Sequence, residues 1–210
     1  MTYIDSEIKT VSYGFFDGTL GDWLTDASSG GTVTTEAAEL GRAVLESGTN
    51  TGDYARIEGP ALHNRGAHNA DVFKLRVAFS VDNGVSADRA NIDVGLEQNT
   101  DNRIIHQPAN DPTSGVGIVV EDGGSVTEVE TRYTISSDVL VSELIWDNKR
   151  DELIHRYQGC FGNRVTDASV LPSRGQYTPY VSVENVDGTE ITVSVYEMEI
   201  VYGQRTNYTV

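Results

Sequence analysis

Between residues 72 and 81 the chain alternates: Phe73, Leu75, Val77 and Phe79 fall on one side of an extended backbone, and Lys74, Arg76 and Ala78 on the other. Successive side chains of a strand point to opposite faces, so this run reads as a strand with one dry face and one wet face. The same period recurs in runs rich in Val, Ile, Thr and Tyr at 90–98, 115–121, 126–136, 139–146, 152–157, 180–185 and 190–202. Turn-forming clusters separate them: Asp82-Asn83-Gly84, Asp122-Gly123-Gly124, Asp147-Asn148-Lys149-Arg150 and Asp187-Gly188. A sheet with one apolar face must cover it, and the chain offers almost no helical pattern to do so. The expected fold class is therefore all-β, with two antiparallel sheets packed as a sandwich. Only 35–46 has a helix-like pattern, which Gly41 weakens, and its second half reads as a strand. In the last run, Tyr196, Met198, Ile200 and Tyr202 are expected on one side, and Val195, Glu197, Glu199 and Val201 on the other.

At 210 residues, without an internal repeat, a low-complexity tract or a linker, the chain reads as one domain over 14–210. Residues 1–13 precede it as either an edge strand or an arm that pairs with a neighbouring subunit. The 32 acidic against 15 basic residues leave a net charge of −17, which excludes a free-standing nucleic-acid binder and disfavours an anionic membrane surface. No run approaches the roughly 20 apolar residues that span a bilayer, and the first residues show no secretory signal. Cys160 is alone, so an intramolecular disulfide and a Cys-rich zinc site are both impossible. Lys occurs only at positions 9, 74 and 149. A low-Lys, acid-rich surface suits a protein that stays hydrated in concentrated salt; the alternative is an acidic mesophilic protein.

The opening Phe15-Phe16-Asp17-Gly18-Thr19-Leu20-Gly21-Asp22-Trp23, the 139–147 strand ending in Trp146-Asp147, and the closing 194–203 stretch resemble the concanavalin A-like or laminin G-like jelly rolls of lectins, carbohydrate-binding modules and viral surface proteins. The resemblance spans about residues 14–203 and implies a jelly-roll sandwich with Trp23 and Trp146 in the core. Together with the charge balance it implies a non-enzymatic virion surface protein, of capsid or tail, from a tailed virus of a salt-loving archaeon. Such a protein assembles in the host cytoplasm as a homo-oligomer beside other virion proteins and touches host surface glycans. The alternatives are a carbohydrate-binding module of a halophilic organism and a glycoside hydrolase.

Related sandwiches that hydrolyse glycosides carry Glu-x-Asp-x-Glu on one strand, where alternate residues share a face. That pattern is absent; Glu184 to Glu190 has the letters at the wrong spacing, and Glu128 with Glu130 and Glu197 with Glu199 lack a third acid. His63 and His68 flank a loop without the spacing that aims two imidazoles at one zinc, and His155 sits in a strand where a satisfied or exposed ring is expected. No catalytic residue is assigned. A structural calcium or other cation has Asp17, Asp22, Asp53, Asp101 and Asp111 as candidate ligands. For glycans, the expected rim is the polar connection 99–111, with Asp101, Asn102, Arg103 and His106 as ligand-binding residues.

Stability is expected to depend on salt, because the self-repulsion of a −17 chain is unscreened at low ionic strength. The melting temperature, followed by circular dichroism, rises as salt increases from about 0.05 to about 3 M. A flat profile excludes the halophilic reading.

Overall fold

The computed structural model describes residues 9–15, 17–37, 41–63, 72–81, 90–107, 116–130, 139–147, 150–158, 160–172 and 175–203. Among these residues there are strands and turns and no helix. In chain order the strands are β1 Lys9–Gly14, β2 Thr25–Asp26, β3 Thr32–Glu36, β4 Arg42–Glu46, β5 Tyr54–Glu58, β6 Leu62–His63, β7 Val72–Val81 and β8 Ala90–Asn99. They continue as β9 Asn102–His106, β10 Val116–Asp122, β11 Ser125–Glu130, β12 Leu140–Asp147, β13 Glu152–Tyr157, β14 Cys160–Val165, β15 Gln176–Asn185 and β16 Thr192–Gly203. The expected runs at 72–81 and 152–157 coincide with β7 and β13, and 126–136 is realised as β11, its part beyond 130 lying outside the described residues.

The strands form two antiparallel sheets. One has the order β14-β13-β12-β7-β16-β4-β3, with β1 on β16; the other has β11-β10-β9-β8-β15-β5-β2, with β6 on β15. Alternation decides which side chains enter the space between them. On β7 the residues Phe73, Leu75, Val77 and Phe79 are each 1% exposed or less, while Lys74 and Arg76 point out. Trp146 of β12 meets Tyr177 of β15 edge-on across the interior, with ring centres 5.2 Å apart.

β16 departs from simple alternation. The register to β7 shifts between Val195 and Glu197, so Tyr196 is the extra residue of a bulge. One extra residue inverts the parity: Val193 and Val195 point inward before it, and Met198 and Ile200 after it. Tyr196 is therefore not on the side of Met198, as strict alternation predicts; it faces outward, its hydroxyl 3.2 Å from Ser80 Oγ. The bulge also divides one edge of β16, which pairs β4 over Thr192–Val195 and β1 over Glu197–Tyr202. Lys9–Gly14 thus forms an edge strand of the sandwich, and residues 1–8 lie outside the described set.

β15 begins at Gln176, upstream of the expected start at 180, and Pro179 is internal to it. Proline lacks an N–H and normally argues against a central strand. Here it stands where the neighbouring edge changes from β5 to β6, and its carbonyl accepts the Gly59 N–H at 2.8 Å.

Gly95 of β8 carries a packing constraint of its own. A Cβ there would lie 2.7 Å from the Ile104 carbonyl oxygen and 3.3 Å from the Tyr180 ring. The missing side chain lets the tyrosine lie flat over the strand. Gly95→Val is expected to lower stability by about 2 kcal/mol through overpacking, read as a reduced urea midpoint at unchanged slope.

Candidate functional site

The outward face of the second sheet is built by residues in register. Glu58, Tyr180, Gly95, Ile105 and Val119 form one row across β5, β15, β8, β9 and β10. The Tyr180 ring covers Gly95, and the Arg56 guanidinium lies over the ring, 3.9 Å from its centre. Arg56 is anchored at both ends: Nε lies 2.7 Å from Glu58 Oε1, and Nη1 donates to Glu97 Oε2 at 3.0 Å. It reaches from β5 across β15 to β8, and Tyr180 beneath it is 1% exposed.

Beside this stack, Arg103 of β9 donates to both oxygens of Glu121 on β10, at 2.7 and 2.8 Å. That pairing raises the guanidinium further above its ordinary value. Asp93 is buried on the same face as Glu97, four residues earlier on β8, and accepts a hydrogen bond from Gln107 Nε2 at 2.8 Å. Burial pushes its carboxyl above the ordinary carboxylate value, partly offset by the Gln107 bond. Two carboxylates, Asp93 and Glu97, therefore share one outward strand face, with Gly95 where Glu-x-Asp-x-Glu has its middle acid. Each has a partner: Gln107 donates to Asp93, and Arg56 to Glu97.

Of the residues expected on one glycan-binding loop, Asn102, Arg103 and His106 belong to a strand and Asp101 to the turn before it, and the side chains of Arg103 and His106 point to opposite faces. Asn102–His106 is the strand β9, and the connection from β8 is a tight turn. Asn99 Oδ1 accepts the Asp101 N–H and an Asn102 amide proton, each at 3.0 Å. Asn102 Oδ1 then accepts the Gly123 N–H at 3.1 Å, tying this turn to the β10–β11 turn. Arg103 points outward into its pair with Glu121, whereas His106 points inward and is 1% exposed. Polar letters concealed a strand because alternate positions 104 and 106 enter the core.

Two of the cation candidates, Asp17 and Asp53, accept hydrogen bonds within turns. Asp17 accepts the Thr19 N–H and hydroxyl at 3.0 Å each, which holds its carboxyl below the usual value. Asp53 accepts the Asn50 backbone and side-chain N–H groups at 3.0 and 2.8 Å. Asp111 lies outside the described residues. Among the described residues no group of three or more His, Cys, Asp and Glu is placed to hold a metal ion.

Trp23 differs from the expectation most. Trp146 is in the core, but Trp23 is 50% exposed. Phe15 and Leu24 fill the interior at this end of the sandwich, so the residue next to Leu24 turns out. The loop is set from below: the Tyr13 hydroxyl donates to the Thr19 carbonyl at 2.8 Å, and Gly21, at φ +64°, packs where a Cβ would overlap the Tyr13 ring. Trp23 then lines a surface cleft of about 490 Å³ with Asp22, Thr25, Gly59 and Pro60. The cleft adjoins the ion-paired face, because Thr25 of β2 stands opposite Glu58. An exposed indole beside a carboxylate and a hydroxyl suits a ligand with an apolar face and polar edges.

No family model matches the chain, and no curated protein does. Solved structures do. The carbohydrate recognition domain of Emp47p superposes with a TM-score of 0.65 at 13% identity, covering 92% of this chain and 95% of that one. Peanut lectin gives 0.60 at 13% identity, covering 94% and 100%. A Bacteroides ovatus GH16 protein, solved with a G4G4G3G product, gives 0.64 at 7% identity, covering 90% and 99%. At these identities the likeness establishes the fold: the chain is a two-sheet antiparallel jelly-roll sandwich of the concanavalin A-like kind.

Proposed function

We propose that this chain is a non-catalytic carbohydrate-binding domain that takes glycans in the cleft at Trp23. The observation that carries the reading is a half-exposed tryptophan that lines a cleft together with a carboxylate and a hydroxyl, in a protein whose other tryptophan is buried. The indole offers its face to the C–H side of a pyranose, and Asp22 and Thr25 accept or donate hydrogen bonds to hydroxyls. The lectin neighbours support this reading by fold alone. They lend nothing to a place in a virion, a halophilic source or a homo-oligomer, so binding is preferred to an architectural role. The GH16 neighbour keeps hydrolysis as the competing activity. Against it stands the engagement of Asp93 and Glu97 by Gln107 and Arg56 on the face where two carboxylates align.

Trp23→Ala is expected to abolish retention on a printed array of neutral, amino and acidic glycans, or to weaken binding at least about fivefold by calorimetry, since an aromatic contact is worth upwards of about 1 kcal/mol. The melting temperature stays within about 1 °C, because an exposed side chain contributes little to stability. Undiminished binding by the variant overturns the site.

Arg103→Ala separates the cleft from the residues first expected to bind. It leaves Glu121, which is 8% exposed, without its partner. A fully buried pair broken this way costs about 3–5 kcal/mol, and the partial exposure of Arg103 reduces that to about 2. Urea unfolding of Arg103→Ala therefore shows a clear loss of stability while the folded variant keeps its glycan affinity.

A further inference from the structure

One cluster of buried polar groups lies between the sheets and has no part in the cleft. His106 of β9 and His155 of β13 come from opposite sheets, and their ring centres are 4.2 Å apart at an interplanar angle of 36°. Both are almost fully buried, at 1% and 0% exposure. Among the described residues, Nδ1 of His106 and both ring nitrogens of His155 find no hydrogen-bond partner, nor does Ser142 Oγ on the inward face of β12. Tyr157 lies against both rings, 5.4 Å from His106 and 6.3 Å from His155 between centres.

Among the described residues, no charged side chain stands opposite either ring in register. Next to His106 the inward residues of β8 and β10 are Val94 and Ile118, opposite it in register. Next to His155, β12 contributes Leu144, and Ser142 two residues away. In β14, Asn163 and Cys160 stand opposite His155 and Tyr157. One carboxylate of these strands has inward parity, Asp122 at the far end of β10, four residues along from Ile118, where it acts on Tyr177 of β15. The others named here lie on the outward faces, where Glu121 pairs with Arg103, Asp93 with Gln107, Glu152 with Arg164, and Glu143 with Lys74, Arg76 and Arg156.

We propose that the His106–His155 pair is an acid-sensitive latch between the two sheets, closed while both rings are neutral and opened by protonation. A proton on either ring places a cation where no carboxylate among the described residues stands beside it, pressed against the imidazole of the other sheet. Burial lowers His155 to about 4 and His106 well below its ordinary value, with His155 adding to the depression of His106. A histidine whose folded value is depressed favours folding above its unfolded value. That contribution is lost as pH falls below about 6.5, because the open chain binds protons the closed chain refuses. With two such rings, opening takes up close to two protons between pH 6 and the folded value.

The test compares urea unfolding, followed by near-ultraviolet circular dichroism, at pH 7, 6 and 5 for the wild type, His106→Phe, His155→Phe and the double variant. Between pH 6 and 5 the folding equilibrium constant of the wild type is expected to fall by up to about 100-fold more than that of the double variant, with each single variant about tenfold in between. Carboxylate titration is common to all four and cancels. Parallel pH profiles for wild type and double variant overturn the latch. Should the variants not fold, NMR of the imidazole C–H groups in the folded wild type decides: both rings neutral at pH 5 support the latch, and a ring that titrates near 6.5 without opening overturns it.

Discussion

The contact between two inward faces is what the rest of this molecule depends on. Neither sheet can stay in water alone, because β7, β12 and β16 on one side and β8, β10 and β15 on the other each expose a row of Val, Ile, Leu and Phe until the opposite row covers it. Trp146 meets Tyr177 edge-on across that gap. Strand parity then sets every other placement. A residue that shares parity with the core rows is dry whatever its chemistry, and this is how two imidazoles come to face one another in the interior.

Opposite parity carries the charge. An acid-rich chain has too few cations to pair each carboxylate separately, so basic residues are shared: Lys74 contacts Glu143 and Glu199, Arg76 contacts Glu143 and Glu197, and Arg56 contacts Glu58 and Glu97. Partly exposed pairs of this kind add little net stability. Their larger effect is on chemistry. They occupy the side chains that an open sheet face would otherwise offer to a ligand, and Arg56 closes the aromatic surface of Tyr180 as well.

In the proposed reading, recognition moves from the sheet face to its margin. Trp23 sits on a loop held by Tyr13, Asp17 and Thr19, at the end of the sheet where β2 pairs only two residues of β5. A short edge strand leaves room for a cleft, and the rigid turn beneath it presents the indole without support from the core.

Fold class was legible in the sequence because the strand period is two and a dry face must be covered; β7, β13 and the turns at Asp122 and Asp187 could be read directly. Three things were decided only by the tertiary structure. The bulge at Tyr196 inverted the parity of the last strand, and one residue of slip leaves no mark in composition. His106 and Arg103 looked like neighbours on a polar loop, yet alternation across β9 sent one into the core and the other to Glu121. Trp23 and Trp146 are the same residue type in equally family-like motifs, and only the competition with Phe15 and Leu24 for interior volume put one outside. Local sequence determines which backbone forms and what each face is made of; which face meets which, and what is left over at the surface, depends on partners distant in the chain.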